Sequence, residues 1–131
     1  GSEKASGFVV EVAGGAQTGT VLVVTNEHVV RSGSPLTVKF ADNVIADGQL
    51  LACSQDFDVA LLRVSRPRAA SVQPAPIGDS DALRLGDWTV ALGAPAEFDQ
   101  LVTLGVVSAL QRPEQRSGVQ LDRSVVFIAT T

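Results

Sequence analysis

Residues 21–30 read Val-Leu-Val-Val-Thr-Asn-Glu-His-Val-Val, an apolar run rich in β-branched residues followed by a polar turn. This composition predicts a strand over Val21–Val24 and a helical turn around Asn26–Val30. Upstream, Phe8–Val12 is a second run of the same kind. It is separated from Val21–Val24 by the segment Gly14-Gly15-Ala16-Gln17-Thr18-Gly19. Since glycine adopts positive φ easily, the two runs are expected to form a β-hairpin.

The rest of the chain repeats short strand-like runs separated by turn residues, which is the pattern of an all-β protein. Further strands are expected at Leu36–Phe40, Val44–Cys53, Val59–Val64, Trp88–Leu92, Leu101–Leu110 and Val125–Ala129. A second helical turn is expected at Ser80–Leu85, with Asp79 or Ser80 as its cap. The polar segment Arg112–Arg123 is expected to be a surface loop. Ser65–Pro76 contains three prolines, which cannot donate to a sheet ladder, and it is predicted to be an extended linker.

The composition argues against nucleic-acid binding, a membrane span and a metal site. The net charge is −4 and the ten Lys and Arg residues are scattered, so no basic stripe for nucleic acid is present. No run reaches the roughly 18 apolar residues of a membrane span, and no signal-type leader opens the sequence. One histidine and one cysteine are a poor basis for a metal site, and neither a metal nor an organic cofactor is expected. Cys53 is expected to be a structural thiol, packed or half-exposed.

His28 is the only histidine, and it follows directly on a predicted strand. Imidazole is the side chain best suited to take a proton from a nucleophilic hydroxyl near neutral pH, and a strand end is a suitable position for such a base. The alternative is an ordinary surface histidine on a helical turn. The residues alone leave both interpretations open.

Asp58 is the candidate acid, 30 residues after His28. It immediately precedes the apolar run Val59–Leu62, so its carboxylate should be partly buried at a strand end, where it could hold an imidazole in one tautomer. Asp56, two residues earlier and on the same face of an extended segment, is the competing acid. Asp58 could also be a turn residue that caps the strand.

Three segments, in this order, resemble the trypsin-like domain of the HtrA (DegP-type) serine proteases. They are Thr25–Val30, Asp56–Val64 and Gly78–Pro95. The third is the most specific, with the pattern Gly-Asp-Ser-Asp-x-Leu-Arg-x-Gly-Asp-Trp, and Val102–Leu110 resembles the strand that follows it in the family. The resemblance extends from about Ser6 to Thr131, and it departs at Ala94–Phe98, where the family usually has Asn-Pro-Phe-Gly.

The resemblance implies an all-β, trypsin-like double β-barrel whose second barrel is incomplete. Residues 1–64 would form the first barrel carrying His28 and Asp58, residues 65–76 a Pro-rich crossover linker, and residues 77–131 part of the second barrel. It favours His28 as general base and Asp58, rather than Asp56, as the residue that orients His28. Trp88 is expected in the core.

In the family, the nucleophile lies in a Gly-Asn-Ser-Gly-Gly loop shortly after a strand resembling Phe127–Thr131. Thr131 is the last residue here, so the nucleophilic serine, the specificity pocket and any PDZ module are expected to be absent from this chain. The three serines Ser108, Ser117 and Ser124 lie in no glycine-rich loop that would present oxyanion-binding amides, and none is assigned as nucleophile.

The function implied is that of the N-terminal part of an HtrA-like serine endopeptidase acting on misfolded or exported polypeptides, itself inactive without the nucleophile loop. The alternative is a catalytically dead, protease-like scaffold or a peptide- or partner-binding module. The implied partners are unfolded polypeptide or peptide, further copies in a homo-oligomer (a trimer by family resemblance), or a completing C-terminal fragment. The implied location is the periplasm or cell envelope.

Overall fold

The computed structural model describes residues 4–15, 17–33, 35–93, 101–111 and 127–130. They form the strands β1 Gly7–Gly14, β2 Thr18–Thr25, β3 Leu36–Lys39, β4 Ile45–Ser54, β5 Val59–Pro67, β6 Trp88–Gly93, β7 Leu101–Gln111 and β8 Phe127–Thr130, with one short helix, α1 Glu27–Val30. The chain divides into two compact units, one built on the sequence up to Ile77 and one on the sequence from Gly78. The expected all-β character and the helical turn after β2 are therefore found.

The first unit is a five-stranded antiparallel sheet in the order β1-β2-β5-β4-β3. Two of its three interior strands, β2 and β5, carry most of the core on one face, because alternate side chains of a strand point to the same face. The buried apolar cluster consists of Val21, Val23, Val30, Ala60, Leu62, Val64 and Ala69. The predicted hairpin is confirmed as β1–β2. Its strands approach so closely at Gly14 that a Cβ there would come within 2.5 Å of the Gly19 Cα.

The segment Ser65–Pro76, predicted to be an extended linker, contains regular secondary structure. Strand β5 continues through Pro67, which pairs with Thr18 at the end of the ladder, a position where a missing N–H is tolerated. A turn of 3₁₀ helix follows at Ala69–Ser71, and Ala69 is fully buried. Further on, the Ala75 amide donates to the Val9 carbonyl at 2.8 Å. This segment therefore packs against the first sheet.

Arg66 is buried at the end of β5, although charged side chains are rarely buried unless they are paired. Its guanidinium forms an ion pair with Asp42 and lies over the Phe40 ring, 4.3 Å from the ring centroid. Its Nε donates to the Pro67 carbonyl at 3.0 Å. The hydrogen bonds from Arg66 hold the pKa of Asp42 below its ordinary value, so this pair ties β5 to the turn between β3 and β4.

The second unit is a three-stranded antiparallel sheet in the order β6-β7-β8. Cross-strand pairs place five large apolar side chains on one face of β6 and β7. They are Trp88 (75% exposed), Val90 (60%), Leu92 (72%), Val102 (60%) and Leu104 (65%). The assignment of Trp88 to the core is therefore wrong, because no described residue of this unit covers that face.

Two other expectations concern turns and loops. The helical turn after the Pro-rich segment is a single 3₁₀ turn, Ser80–Ala82, capped by Asp79, whose side chain accepts from the Asp81 amide at 3.0 Å. The predicted loop at Arg112–Arg123 and the departure at Ala94–Phe98 lie outside the described residues. In the part of the chain that is described, no helix has the length and apolarity needed to cross a membrane.

Val64→Ala should lower the free energy of unfolding by roughly 2 kcal/mol, because it removes buried methyl groups and leaves a cavity. Val64 is fully buried on β5. Val59, on the same strand, is 42% exposed, and Val59→Ala is the matched control, with an expected loss of at most about 0.5 kcal/mol. Urea unfolding of both variants measures the difference. Equal losses would contradict the placement of the core on this face of β5.

Candidate active site

The site lies at one edge of the first sheet, where β2 ends and β5 begins. The two strands are antiparallel, and their last pair at this edge is Thr25 with Ala60. Helix α1 follows β2 directly and carries His28, whereas the turn that precedes β5 ends at Asp58. Because antiparallel pairing brings the end of one strand beside the start of the other, residues 30 positions apart become neighbours.

His28 and Asp58 form a two-point contact. The Nδ1 atom of His28 lies 2.7 Å from Oδ2 of Asp58, and the backbone N–H of His28 donates to Oδ1 at 2.9 Å. The His28 side chain is 56% exposed and that of Asp58 is 43% exposed. The carboxylate thus engages the ring and the backbone of the same residue, which restricts the orientation of the imidazole.

Asn26 is a third member of this group that the sequence analysis did not single out. Its side-chain amide donates to Oδ2 of Asp58 and to the Asp58 backbone carbonyl, each at 3.2 Å. Asp58 itself has φ 51°, in the left-handed region that non-glycine residues rarely adopt. The available sequence signal was an asparagine immediately before a helical turn, which predicts a helix cap and not a donor to a distant carboxylate.

The electrostatics favour an ionised Asp58. The backbone N–H of His28 lowers the pKa of Asp58 most, and the ring of His28 and the amide of Asn26 lower it further, against the opposing effect of burial. Its ordinary value is 3.8, so the group is a carboxylate at neutral pH. Asp56 is exposed and has no hydrogen bond to His28 in the described part of the chain. The structure thus places Asp58, and not Asp56, beside His28.

Glu27, next to His28, is a second carboxylate that the sequence analysis did not consider. Its side chain is only 10% exposed and is paired with Arg31, whose Nε lies 3.1 Å from Oε1 and 3.2 Å from Oε2. The Arg31 guanidinium lowers the pKa of Glu27 and compensates its charge. The i, i+4 spacing of Glu27 and Arg31, which directly follows the last residue of α1, is a signal in the sequence for this pair.

The second ring nitrogen of His28, Nε2, has no hydrogen-bond partner among the described residues of the first unit. A neutral imidazole whose Nδ1 proton is held by a carboxylate can accept a proton at Nε2, as a general base must. Of the three serines considered above, Ser108 lies on β7 in the second unit, and Ser117 and Ser124 are outside the described residues. No cluster of three or more potential metal ligands occurs in the described segments.

Comparison with known proteins gives a consistent result. The family described as trypsin-like peptidase domain matches residues 5–130. The chain is 34% identical over 125 residues to the putative serine protease HhoA of Synechocystis and 36% identical over 125 residues to the periplasmic serine endoprotease DegP of Salmonella typhimurium. Among solved structures, the HtrA-type protease AlgW with decapeptide matches with a TM-score of 0.67 at 26% identity. The predicted trypsin-like fold and the resemblance to HtrA proteases are confirmed.

The match covers most of this chain but a small part of its relatives. It includes 95% of the chain in both sequence comparisons, yet 29% of HhoA and 24% of DegP. The structural match covers 86% of this chain and 35% of AlgW. The chain therefore spans about a quarter to a third of the length of these relatives.

The pKa of Asp58 should stay below its ordinary value of 3.8 in the variant His28→Ala, although it should rise relative to the parent chain. The substitution removes the ring but retains the backbone N–H, which is the largest cause of the lowered pKa. The ¹³C signal of the Asp58 carboxyl, followed against pH, measures it. An Asp58 pKa of 3.8 or higher in this variant would show that the ring dominates.

Proposed function

Since the chain belongs to the trypsin-like peptidase domain family, we propose that His28 and Asp58 are the base and the orienting acid of an HtrA-like serine endopeptidase. The observation that supports this most directly is the two-point contact, with 2.7 Å between Nδ1 and Oδ2 and 2.9 Å between the His28 amide and Oδ1. Asp56, the alternative acid, has no such contact in the described segments.

In this mechanism, Nε2 of His28 takes the proton of a serine hydroxyl as its oxygen attacks the carbonyl carbon of a peptide bond. Asp58 stabilises the imidazolium that forms and keeps its Nδ1 proton in place. The imidazolium then gives the proton to the leaving amine, the C–N bond breaks, and an acyl-enzyme results. Water, activated by the same Nε2, releases the acid. Residues of this chain therefore transfer the protons. We propose that the nucleophile lies in a longer protein that contains residues 1–131, called the longer protein below.

The substrates proposed are exposed segments of unfolded or exported polypeptides, bound in extended form. The relatives support this class, because DegP is described as a periplasmic serine endoprotease and AlgW was solved with a decapeptide. By the same reasoning we propose a periplasmic or cell-envelope location and a homo-oligomer, a trimer by family resemblance, for the longer protein.

A second candidate function is peptide or partner binding without catalysis. The apolar face of β6 and β7 supports it, because Trp88, Leu92 and Leu104 are each at least 65% exposed there. Exposed apolar patches of this kind commonly mark interaction sites. Peptide binding by the longer protein without any turnover would favour this second function.

Residues 1–131 on their own should show no peptidase activity above the spontaneous rate. None of Ser108, Ser117 and Ser124 lies in a glycine-rich loop that would present oxyanion-binding amides, and loss of the nucleophile lowers the rate of such enzymes by several orders of magnitude. A fluorescent casein assay on the purified chain measures it, with His28→Ala as control. Turnover that disappears in the control would contradict the assignment and indicate another nucleophile.

In the longer protein that contains these residues, Asp58→Asn should lower kcat by roughly 10⁴-fold, because an amide in place of the carboxylate stabilises the wrong imidazole tautomer. The matched control is Asp56→Asn, which removes the same charge two residues away and should leave kcat unchanged. Steady-state hydrolysis of a peptide substrate distinguishes them. Comparable losses in the two variants would refute the choice of Asp58.

A further inference from the structure

We infer that Asn26 is a positioning residue, whose side-chain amide holds the Asp58 carboxylate in the orientation that receives the Nδ1 proton of His28. The inference rests on the catalytic role proposed for His28 and Asp58. Among the described residues the Asn26 amide is hydrogen-bonded to Asp58 and not to the His28 ring, so it acts through Asp58.

The first argument is that Asn26 does not use its side chain as an N-cap asparagine normally does. It occupies the N-cap position of α1 with extended dihedrals, φ −77° and ψ 143°. An N-cap side chain ordinarily accepts a hydrogen bond from the second or third amide of the helix, yet Asn26 makes no such bond. The amide of His28, at the second helical position, donates to Asp58 instead. Asp58, which directly precedes β5, therefore caps the helix in place of Asn26. The Asn26 amide group is thus available as a donor.

The second argument is the set of bonds on the carboxylate. Oδ1 of Asp58 accepts only from the His28 backbone among the described residues, whereas Oδ2 accepts from the His28 ring at 2.7 Å and from Asn26 at 3.2 Å. With both oxygens held, the carboxylate cannot rotate about its Cβ–Cγ bond without breaking bonds to Asn26 or to His28. The Asn26 amide is the restraint on Oδ2 that does not depend on the imidazole, so it remains in place as the ring changes its protonation state.

The third argument concerns the backbone of Asp58. A φ of 51° is costly for a residue with a Cβ, and such conformations persist where surrounding bonds enforce them. The same Asn26 amide donates to the Asp58 carbonyl at 3.2 Å, and the Asp58 N–H donates to the Gln55 carbonyl at 3.3 Å. Asn26 thus restrains both the peptide and the carboxylate of Asp58, which together determine where Oδ2 lies.

Two substitutions separate positioning from helix capping. Asn26→Asp has nearly the same shape and is an equally good N-cap, but it cannot donate as a carboxylate and it places a like charge beside Oδ2. Asn26→Ala removes the donor, together with the side-chain oxygen that an N-cap residue would use, without adding charge. A capping role predicts that Asp resembles Asn and that Ala is worse, whereas a positioning role predicts that Asp is at least as harmful as Ala.

The 131-residue chain allows a direct test, because it contains a single histidine and its ring signals in NMR spectra are unambiguous. In both variants we expect the exchange of the Nδ1 proton with water to become roughly fivefold faster or more, as loss of one hydrogen bond to the acceptor loosens the pair. The Asp58 pKa should rise in Asn26→Ala and rise further in Asn26→Asp. The midpoint of urea unfolding, measured on the same samples, reports the capping contribution separately.

Wild-type proton exchange and an unchanged Asp58 pKa in Asn26→Asp would overturn the inference, whatever happens to stability. If Asn26→Ala does not fold, the near-isosteric Asn26→Asp decides the question alone. In the longer protein, both variants should lower kcat while leaving KM unchanged. Because the NMR measurement needs no turnover, an inactive longer protein would refute the proposed function and leave the role of Asn26 to be judged by the spectra.

Discussion

The pairing of β2 with β5 is the constraint on which the first unit depends. Its register runs from Thr18 with Pro67 to Thr25 with Ala60, and it places Val21 beside Val64 in the core. Since side chains alternate between the two faces of a strand, a slip of one residue would turn these valines outward and separate His28 from Asp58. The same ladder therefore determines both the buried core and the contact between base and acid, so the site could not form in a differently paired sheet.

At the edge of this sheet, polar bonds rather than burial hold the site together. Asp58 adopts a left-handed conformation, α1 begins without a cap from its own N-cap side chain, and His28 is more than half exposed. Each departure from regular structure is compensated by another member of the group, because the Asp58 carboxylate caps the helix and Asn26 bonds back to Asp58. Such a mutually supported arrangement leaves Nε2 of His28 accessible while the opposite side of the ring is held.

The features that could be predicted from the sequence are those that depend on a local residue pattern or on the family resemblance. The hairpin, the strand positions and the proximity of His28 to Asp58 follow from hydrophobic runs, turn residues and matched segments. The sequence did not predict the burial of Arg66, because that depends on Asp42, 24 residues away, and on no local pattern. The assignment of Trp88 to the core failed for a related reason, since an apolar residue on a strand is buried only where another layer covers its face. The pair of Glu27 and Arg31 was readable from its spacing and was overlooked.

Two carboxylates, Glu27 and Asp58, lie near His28, and only that of Asp58 is hydrogen-bonded to its ring. Glu27 is adjacent in sequence, but its oxygens are engaged by Arg31, so its charge is balanced. Asp58 forms no ion pair with a side chain other than His28 in the described segments, and its other hydrogen-bond donors, the His28 amide and Asn26, are neutral. When the ring gains a proton, the new charge therefore lies at hydrogen-bonding distance from one carboxylate, that of Asp58. Neutral donors fix the position of that carboxylate without cancelling its charge, which is what an orienting acid requires.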